Sequence, residues 1–269
     1  MQNKTLLLAG CGRMGGALLA GWRRAGLLEQ MEVHAVDPAA NVTMPGISFC
    51  RAMEALPASL EPDIILLAVK PQQMAGVVQA YAGRFGGGPL YISIAAGITT
   101  ATLQGKLGAG PRIIRAMPNL PAFAGGGMTA LYASPAVSAG ERQAAETLFT
   151  AVGQVAWIEA EDLMHAVTAL SGSGPAYVFL FLEALVEGGV ALGLSPALAR
   201  RLAEQTVVGT VWLAGADAKN DYAAWRQAVT SPGGTTEAAL KVLLAGDGIK
   251  SLIINALKNA DQRSRELSQ

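Results

Sequence analysis

Short apolar runs alternate with helix-like stretches through the first half of the chain. Five runs of five to six residues have the length and composition of strands: Thr5–Gly10, Val33–Asp37, Ile64–Val69, Leu90–Ala95 and Arg112–Met117. Helical stretches separate them at Arg13–Ala25, Pro71–Gly83 and Thr99–Leu107. Continuously apolar strands spaced by helices are typical of a parallel sheet that is covered on both faces. The pattern therefore predicts a doubly wound, Rossmann-like α/β fold.

The pattern changes near residue 160. Before that point, two more predicted strands, Gly127–Tyr132 and Gln154–Ile158, flank a helix at Ser138–Val152. Beyond it helical periodicity dominates, and helices are predicted at Leu182–Ala191, Pro196–Leu213, Tyr222–Val229, Thr236–Ala245 and Ile249–Leu267. We therefore expect an α/β domain over residues 1–160 and an all-helical domain over residues 161–269.

The charge balance argues against nucleic acid as a partner. Lys and Arg number 20, and so do Asp and Glu, which gives a formal net charge of zero. Nucleic-acid-binding proteins usually carry a basic excess. Hydrophobic residues make up 51% of the chain and charged residues 15%, too apolar for disorder and enough for a large core. So few charges leave much neutral surface, which favours a homo-oligomer.

Cysteine and histidine are scarce. The two cysteines, Cys11 and Cys50, cannot form a disulfide framework or a four-ligand zinc site. The two histidines, His34 and His165, lie far apart in sequence, so we expect no metal site. The first residues have no charged region followed by an apolar stretch and a cleavage site, which favours a cytoplasmic protein.

One apolar stretch, Leu163–Leu182, contains no Asp, Glu, Lys or Arg. Serines, glycines and Pro175 interrupt it over residues 171–175, and Glu183 and Glu187 follow at once. This pattern favours a broken pair of buried helices over a membrane span. The break is interpreted either as a kink where helices of two subunits cross or as a catalytic segment.

A glycine-rich turn, Gly10-Cys11-Gly12-Arg13-Met14-Gly15, follows the first predicted strand and opens the first predicted helix. The glycines of such a turn permit a tight bend, close approach of a pyrophosphate and close packing of helix on strand. The helix N-terminus supplies free N–H groups and a partial positive charge. We predict that Gly10, Gly12, Arg13, Met14 and Gly15 bind a nicotinamide dinucleotide. The alternative is a βαβ turn that binds nothing.

Asp37 ends the second predicted strand, 22 residues after Gly15 (37 − 15). A carboxylate at this point can accept hydrogen bonds from the adenosine ribose and repels a 2′-phosphate, which favours NADH over NADPH. A cation such as Arg51 or Arg13 folding over the site would accommodate NADPH, so both cofactors stay open. A solvated aspartate at a strand end is the alternative role.

Three further loops follow predicted strands, and in a doubly wound sheet ligands bind beyond the carboxyl ends of the strands. These loops are Val69-Lys70-Pro71-Gln72, Ala95-Ala96-Gly97 (the 95–97 loop) and Met117-Pro118-Asn119. Small residues in the 95–97 loop leave room for a flat ring, and Asn119 offers both a donor and an acceptor. Together the loops predict a nicotinamide pocket, although each is also an ordinary strand exit.

These motifs occur in one order with two more, Thr168-Ala169-Leu170-Ser171-Gly172-Ser173-Gly174-Pro175-Ala176-Tyr177 and Val229-Thr230-Ser231-Pro232-Gly233-Gly234-Thr235-Thr236. In this the chain resembles the pyrroline-5-carboxylate reductases over nearly its whole length. The resemblance implies NAD(P)H-dependent reduction of 1-pyrroline-5-carboxylate to L-proline, the last step of proline synthesis. It also implies a homodimer through the helical domain, with larger rings built from such dimers.

The resemblance also assigns substrate roles by position. Ser231, Gly234, Thr235 and Thr236 fall in the loop that cradles the substrate (the 231–236 loop), and Thr236 matches the hydroxyl partner of the ring nitrogen. Glu161 matches a substrate-proximal acid. The sequence departs from the family at His165, where many members carry Asp, and at Ala228, where some carry a polar residue that contacts the substrate.

The chemistry is compatible with so few titratable groups. A protonated imine is already strongly electrophilic, so the site needs to supply orientation and electrostatics while the cofactor carries the hydride. Thr236 can accept a hydrogen bond from the iminium N–H, and free N–H groups at the start of the predicted helix can hold the substrate carboxylate. The alternative role of Thr236 is a helix N-cap.

Two other functions stay open at this point. A 3-hydroxyacid dehydrogenase has a similar order of domains, but it would need a Lys or His in the site to move the hydroxyl proton. A non-catalytic dinucleotide-binding oligomer would keep the glycine turn but has no use for the 231–236 loop.

Overall fold

A computed structural model describes residues 1–39, 44–108, 110–216 and 221–268. Its centre is an eight-stranded sheet with the order β3-β2-β1-β4-β5-β6-β7-β8. The strands span Lys4–Ala9 (β1), Met31–Val36 (β2), Ile47–Cys50 (β3), Ile64–Leu67 (β4), Leu90–Ser93 (β5), Arg112–Met117 (β6), Gly127–Ala133 (β7) and Gly153–Trp157 (β8). Strands β1 to β6 are mutually parallel, while β7 is antiparallel to β6 and parallel to β8.

Both faces of this sheet are covered. Helices α1 (Arg13–Arg24), α2 (Pro71–Phe85), α3 (Thr100–Leu107) and α4 (Ala139–Thr150) follow the strands in chain order. Along β1, Leu6 and Leu8 belong to one buried cluster, and Leu7 and Ala9 belong to another. Because side chains of a strand alternate between faces, two separate cores flank the sheet. The predicted doubly wound fold class is therefore confirmed.

The predicted strands agree with the observed ones to within two residues at each end, with one omission. Strand β3 has only four residues, lies at the edge of the sheet and is partly exposed, with an Ile-Ser-Phe-Cys sequence. A run this short carries little periodic signal.

The helices beyond β8 are α5 (Leu163–Val167), α6 (Gly174–Ala191), α7 (Pro196–Ala216), α8 (Tyr222–Ala228), α9 (Thr235–Leu243) and α10 (Ile249–Glu266). By internal packing the chain forms two compact units, Met1–Ser173 together with Ala260–Gln269, and Gly174–Asn259. The end of α10 thus belongs to the unit that contains the sheet.

At the predicted break over residues 171–175 the regular α-helix gives way to a π-helical segment, and α6 begins at Gly174. Thr168–Gly172 (the bulge) continues α5, and the N–H of Ser173 donates to the carbonyl of Thr168 five residues back, at 2.9 Å. Helix therefore runs through Leu163–Ala191, which by length and composition alone is apolar enough to cross a membrane.

Candidate active site

The glycine turn has the geometry that its motif requires. Gly10 has φ +99°, and a Cβ there would lie 2.7 Å from the carbonyl oxygen of Ala68. A Cβ on Gly15 would overlap the carbonyl oxygen of Gly10. A Cβ on Gly12 would meet no atom within 4 Å, so this glycine leaves open space at the start of α1. The first and third glycines are needed for the fold, and the second leaves room for a ligand.

A cavity of about 620 Å³ adjoins this turn. Five of the residues predicted to bind the cofactor line it: Gly10, Gly12, Asp37, Val69 and Lys70. The remaining predicted cofactor residues do not line this cavity: Arg13, Met14, Gly15, Pro71, Ala95, Ala96, Gly97 and Asn119. The cavity lies at the carboxyl ends of β1, β2 and β4, where the adenosine half of a dinucleotide is expected.

Asp37 ties the glycine turn to the end of β2. Its Oδ2 accepts the N–H of Cys11 at 2.7 Å, and its Oδ1 accepts the N–H of Ala39 at 2.8 Å. Arg51 lines the same cavity.

Cys11 lies within the turn but carries no thiolate chemistry. Burial, aided by the negative charge of Asp37, raises the pKa of the Cys11 thiol to about 12. The thiol is therefore protonated and unreactive at neutral pH.

The 95–97 loop lies between β5 and α3, at the same edge of the sheet. Gly97 has φ +77°, and a Cβ there would lie 2.9 Å from the carbonyl oxygen of Leu267. The end of the chain therefore packs directly on this loop. Sequence reasoning missed this contact, because nothing near Leu267 marks it as a neighbour of the sheet edge.

Asn119 follows β6 and has both ends of its amide engaged. Its Oδ1 accepts the N–H of Met128 at 2.9 Å, and its Nδ2 donates to the carbonyl oxygen and the Oγ of Ser171 at 3.3 and 3.2 Å. The predicted donor and acceptor are thus present, but they bind the protein itself.

Glu161 is the acceptor for three donors. Its carboxylate takes the N–H and Oγ1–H of Thr100, at 2.7 and 2.5 Å, and the guanidinium of Arg115 at 2.8 Å. Burial by itself would raise the pKa of Glu161, but the hydrogen bonds from Thr100 and the charge of Arg115 outweigh it and lower the pKa. These contacts of Glu161 with Thr100 and Arg115 (the clip) join the segment before α5 to the start of α3 and to β6.

Sequence reasoning missed this clip, although one signal was available. Arg115 occurs inside the apolar run of β6, and its side chain is only 4% exposed. A buried arginine requires a carboxylate partner. The sequence does not say which of the 20 acidic residues supplies it.

His165 is buried, and its Nδ1 lies 2.9 Å from the Oγ of Ser264. Burial, and next the charge of Arg265, lower the pKa of His165. Arg265 in turn pairs with Asp162 at 2.6 Å and with Asp261 at 2.8 Å. The end of α10 is thus held to the start of α5 by one histidine and one arginine.

The 231–236 loop begins α9. Gly233 has φ +71°, the N–H of Gly234 donates to the carbonyl of Ser231 at 3.0 Å, and Gly234 is the residue that caps α9. Thr236 is the second residue of the helix, so its alternative role as an N-cap is wrong. The first N–H groups of any helix lack an intrahelical acceptor, and here they belong to Thr235, Thr236 and the next residue.

Two family models match the chain. Residues 161–267 match the model described as pyrroline-5-carboxylate reductase dimerisation, and residues 5–97 match that described as NADP oxidoreductase, coenzyme F420-dependent. The pyrroline-5-carboxylate reductase of Pseudomonas aeruginosa is 39% identical over 100% of this chain and 98% of its own length. The chain belongs to the pyrroline-5-carboxylate reductase family.

Other pyrroline-5-carboxylate reductases agree with this assignment. That of Haemophilus influenzae is 35% identical over 99% of this chain and 98% of its own length. The solved pyrroline-5-carboxylate reductase of Coxiella burnetii has a TM-score of 0.89 and 35% identity, and the Plasmodium falciparum structure with NADP bound has 0.89 and 30%. Each alignment covers 100% of both chains.

The segment that matches the reductase dimerisation model carries a large apolar surface. None of the 18 residues of α6 is buried, and Phe179 and Leu180 are 58% and 65% exposed. On α7, Val211 and Trp212 are 65% and 73% exposed. Apolar surface of this extent marks an interaction site.

Proposed function

We propose that this chain reduces 1-pyrroline-5-carboxylate to L-proline, the last step of proline biosynthesis, with NADPH or NADH as the reductant. The observation that carries the proposal is the similarity to pyrroline-5-carboxylate reductases over the whole chain. Within this full-length match the chain has both the glycine turn and the 231–236 loop. A non-catalytic nucleotide-binding protein would require only the glycine turn.

The residues present fit a nicotinamide dinucleotide. The space beside Gly12, the start of α1 and the adjoining cavity of about 620 Å³ can take the pyrophosphate and the adenosine half. Asp37 can bind the ribose, and Arg51 and Lys70 line the same cavity. The 95–97 loop and the neighbourhood of Asn119 are proposed to hold the nicotinamide. When bound, the cofactor supplies the hydride that reduces the C=N bond.

The 231–236 loop is proposed to bind the substrate. The free N–H groups of Thr235 and Thr236 at the start of α9 suit its carboxylate, with Ser231 and Gly234 shaping the turn. The hydroxyl of Thr236 accepts the N–H of the protonated imine, and after hydride transfer it can donate to the lone pair that the C=N π electrons leave on the amine nitrogen, which keeps its own proton. Because the substrate is already protonated, the site needs no strong acid. A substrate contact by Glu161 is part of the proposal.

We further propose a cytoplasmic homodimer that forms through residues 161–269 and can assemble into a larger ring, with residues 1–160 as the nucleotide domain. The dimerisation model covers nearly all of the helical part, including Leu163–Ala191. A second copy is therefore the proposed cover for the apolar face of α6, in place of a lipid bilayer.

The test is a coupled assay of the purified chain with 1-pyrroline-5-carboxylate and each cofactor, following cofactor oxidation and proline together. Thr236→Val removes only the hydroxyl, and the loss of a hydrogen bond to a charged group should lower kcat/KM by roughly tenfold to a hundredfold. Thr236→Ser keeps the hydroxyl and should stay within about threefold of wild type by the same reasoning. Both variants should bind nucleotide normally.

Two outcomes would count against the proposal. Equal turnover in wild type and Thr236→Val would refute the role of the hydroxyl. Binding of both cofactors without any proline formation would refute the reaction itself and would favour a different substrate or a non-catalytic oligomer.

A further inference from the structure

The side chain of Asn119 joins the bulge to the exit of β6 by hydrogen bonds. Its Nδ2 makes a forked hydrogen bond to the carbonyl oxygen and the Oγ of Ser171, at 3.3 and 3.2 Å. Its Oδ1 is held in turn by the N–H of Met128, at the start of β7, at 2.9 Å. The bond from Met128 in the sheet therefore fixes the orientation of the amide, and the Nδ2 of the same amide binds the bulge.

Pro175 explains why Ser171 needs this partner. In a regular α-helix the carbonyl of Ser171 would accept the N–H of residue 175, four positions later. Proline has no N–H, and its ring clashes with the carbonyl four residues earlier. The helix relieves this by the wider bond from the N–H of Ser173 to the carbonyl of Thr168. The carbonyl of Ser171 is left to the side chain of Asn119.

A second contact fixes the same segment. The Cε of Met117 lies 2.5 Å from where a Cβ of Gly172 would stand, so the methionine packs directly against the backbone of the bulge. Met117 and Asn119 flank Pro118 at the carboxyl end of β6, and β6 pairs with β5, which leads into the 95–97 loop. The bulge thus lies at the sheet edge where the nicotinamide pocket is proposed.

We propose that Asn119 is a positioning residue for hydride transfer, which acts by holding the bulge against the exit of β6 and not by binding the cofactor. The inference rests on the proposed reductase function. π-Helical turns inside α-helices occur frequently at functional sites. A wall of the pocket that is displaced by about 1 Å can lower the rate of a reaction by about a hundredfold without weakening binding.

The first measurement is steady-state kinetics of Asn119→Ala with the wild type as reference. We expect kcat to fall by about tenfold to a hundredfold, with the KM of the nucleotide within about twofold of wild type. The deuterium isotope effect with cofactor labelled at the transferred hydrogen should rise, because hydride transfer becomes slower than product release. Asn259→Ala is the matched control, since Asn259 is exposed and its amide also donates to a helix carbonyl, that of Asn255.

The second measurement is a double-mutant cycle with Pro175→Ala, which returns an N–H to the partner position of the Ser171 carbonyl. If Asn119 acts through the bulge, both substitutions disturb the same element, and the double variant should be no slower than the worse single variant. Effects on kcat that multiply would overturn the proposal. So would a raised KM for the nucleotide with unchanged kcat, because that pattern identifies a direct cofactor ligand.

A third measurement does not depend on turnover. Amide hydrogen exchange over the bulge should speed up in Asn119→Ala and stay at the wild-type rate in Asn259→Ala. Unchanged exchange over the bulge would overturn the positioning role even in an inactive preparation. A wild-type protein that forms no proline would instead refute the proposed function, and the two failures are therefore distinguishable.

Discussion

Replacing Glu161 with alanine removes the acceptor that Thr100 and Arg115 share. The guanidinium of Arg115 is 4% exposed and would lose its ion pair, and the main-chain N–H of Thr100 would lose its acceptor. Removing one partner of a buried ion pair costs about 3–5 kcal/mol. The Glu161 side chain is 23% exposed, so the lower end, about 3 kcal/mol, is expected. For a chain of this size about 2 °C accompanies each kcal/mol, which predicts a Tm lowered by about 6 °C.

The assay is thermal unfolding of Glu161→Ala beside Glu159→Ala, at one protein concentration because an oligomer melts in a concentration-dependent way. Glu159 is exposed and has no hydrogen bond or ion pair within the described residues, so its variant should melt with the wild type. The KM of the folded fraction of Glu161→Ala for the substrate separates the two roles of this carboxylate: it stays at the wild-type value if Glu161 only stabilises the fold, and it rises if Glu161 also makes the proposed substrate contact.

The stabilisation that Glu161 contributes should depend on pH in a defined direction. The pKa of Glu161 is lowered in the folded protein, so its stabilisation is present above the unfolded pKa of about 4.3 and is lost as pH falls through the folded value. The Tm difference between wild type and Glu161→Ala should therefore narrow below about pH 4. Equal melting of both variants, together with a KM for the substrate raised tenfold or more in Glu161→Ala, would refute the structural argument and identify a substrate contact.

Two further predictions concern the end of the chain. Gly97→Ala should lower Tm by about 2–4 °C, since alanine at φ +77° costs about 1–2 kcal/mol and its Cβ meets the carbonyl of Leu267. The control, Gly105→Ala in α3, has open space around its Cβ and should raise Tm slightly; a raised Tm for Gly97→Ala would contradict the packing argument. The pKa of His165 is lowered, so its stabilisation is present above the unfolded pKa of about 6.5 and is lost as pH falls through the folded value. His165→Asn should therefore flatten the fall in Tm below about pH 6.5, and an unchanged pH profile would exclude the contribution of this histidine.

The sheet was predictable because its central strands are continuously apolar, which is a local signal. The glycine turn was predictable for a similar reason, since the motif has glycine at the two positions, Gly10 and Gly15, where a Cβ would clash with the backbone. The partners of polar side chains were not predictable. Thr100 and Glu161 are 61 positions apart, and Asn119 and Ser171 are 52 apart, so no local pattern joins them.

The exact residue at which a helix begins was also not predictable from the sequence. The 231–236 loop and the helix after it were predicted, and an N-cap was the alternative role of Thr236, but Gly234 is the N-cap. Threonine is a common N-cap, and only the backbone conformation at Gly234 distinguishes the two positions. The break over residues 171–175 was predicted from its serines, glycines and proline, but the π-helical form of residues 168–172 was not.

The exposed apolar surface of α6 also affects how the chain folds and assembles. The two cores of the sheet are formed within a single chain, so this part can fold at a rate that does not depend on concentration. Most residues of α6 are exposed in the single chain and none is fully buried, so full burial of its apolar surface requires another molecule. Completion of the helical part should then be a bimolecular event, faster at higher expression and reversed by dilution. A newly made chain would carry a finished glycine turn before it has met its partner.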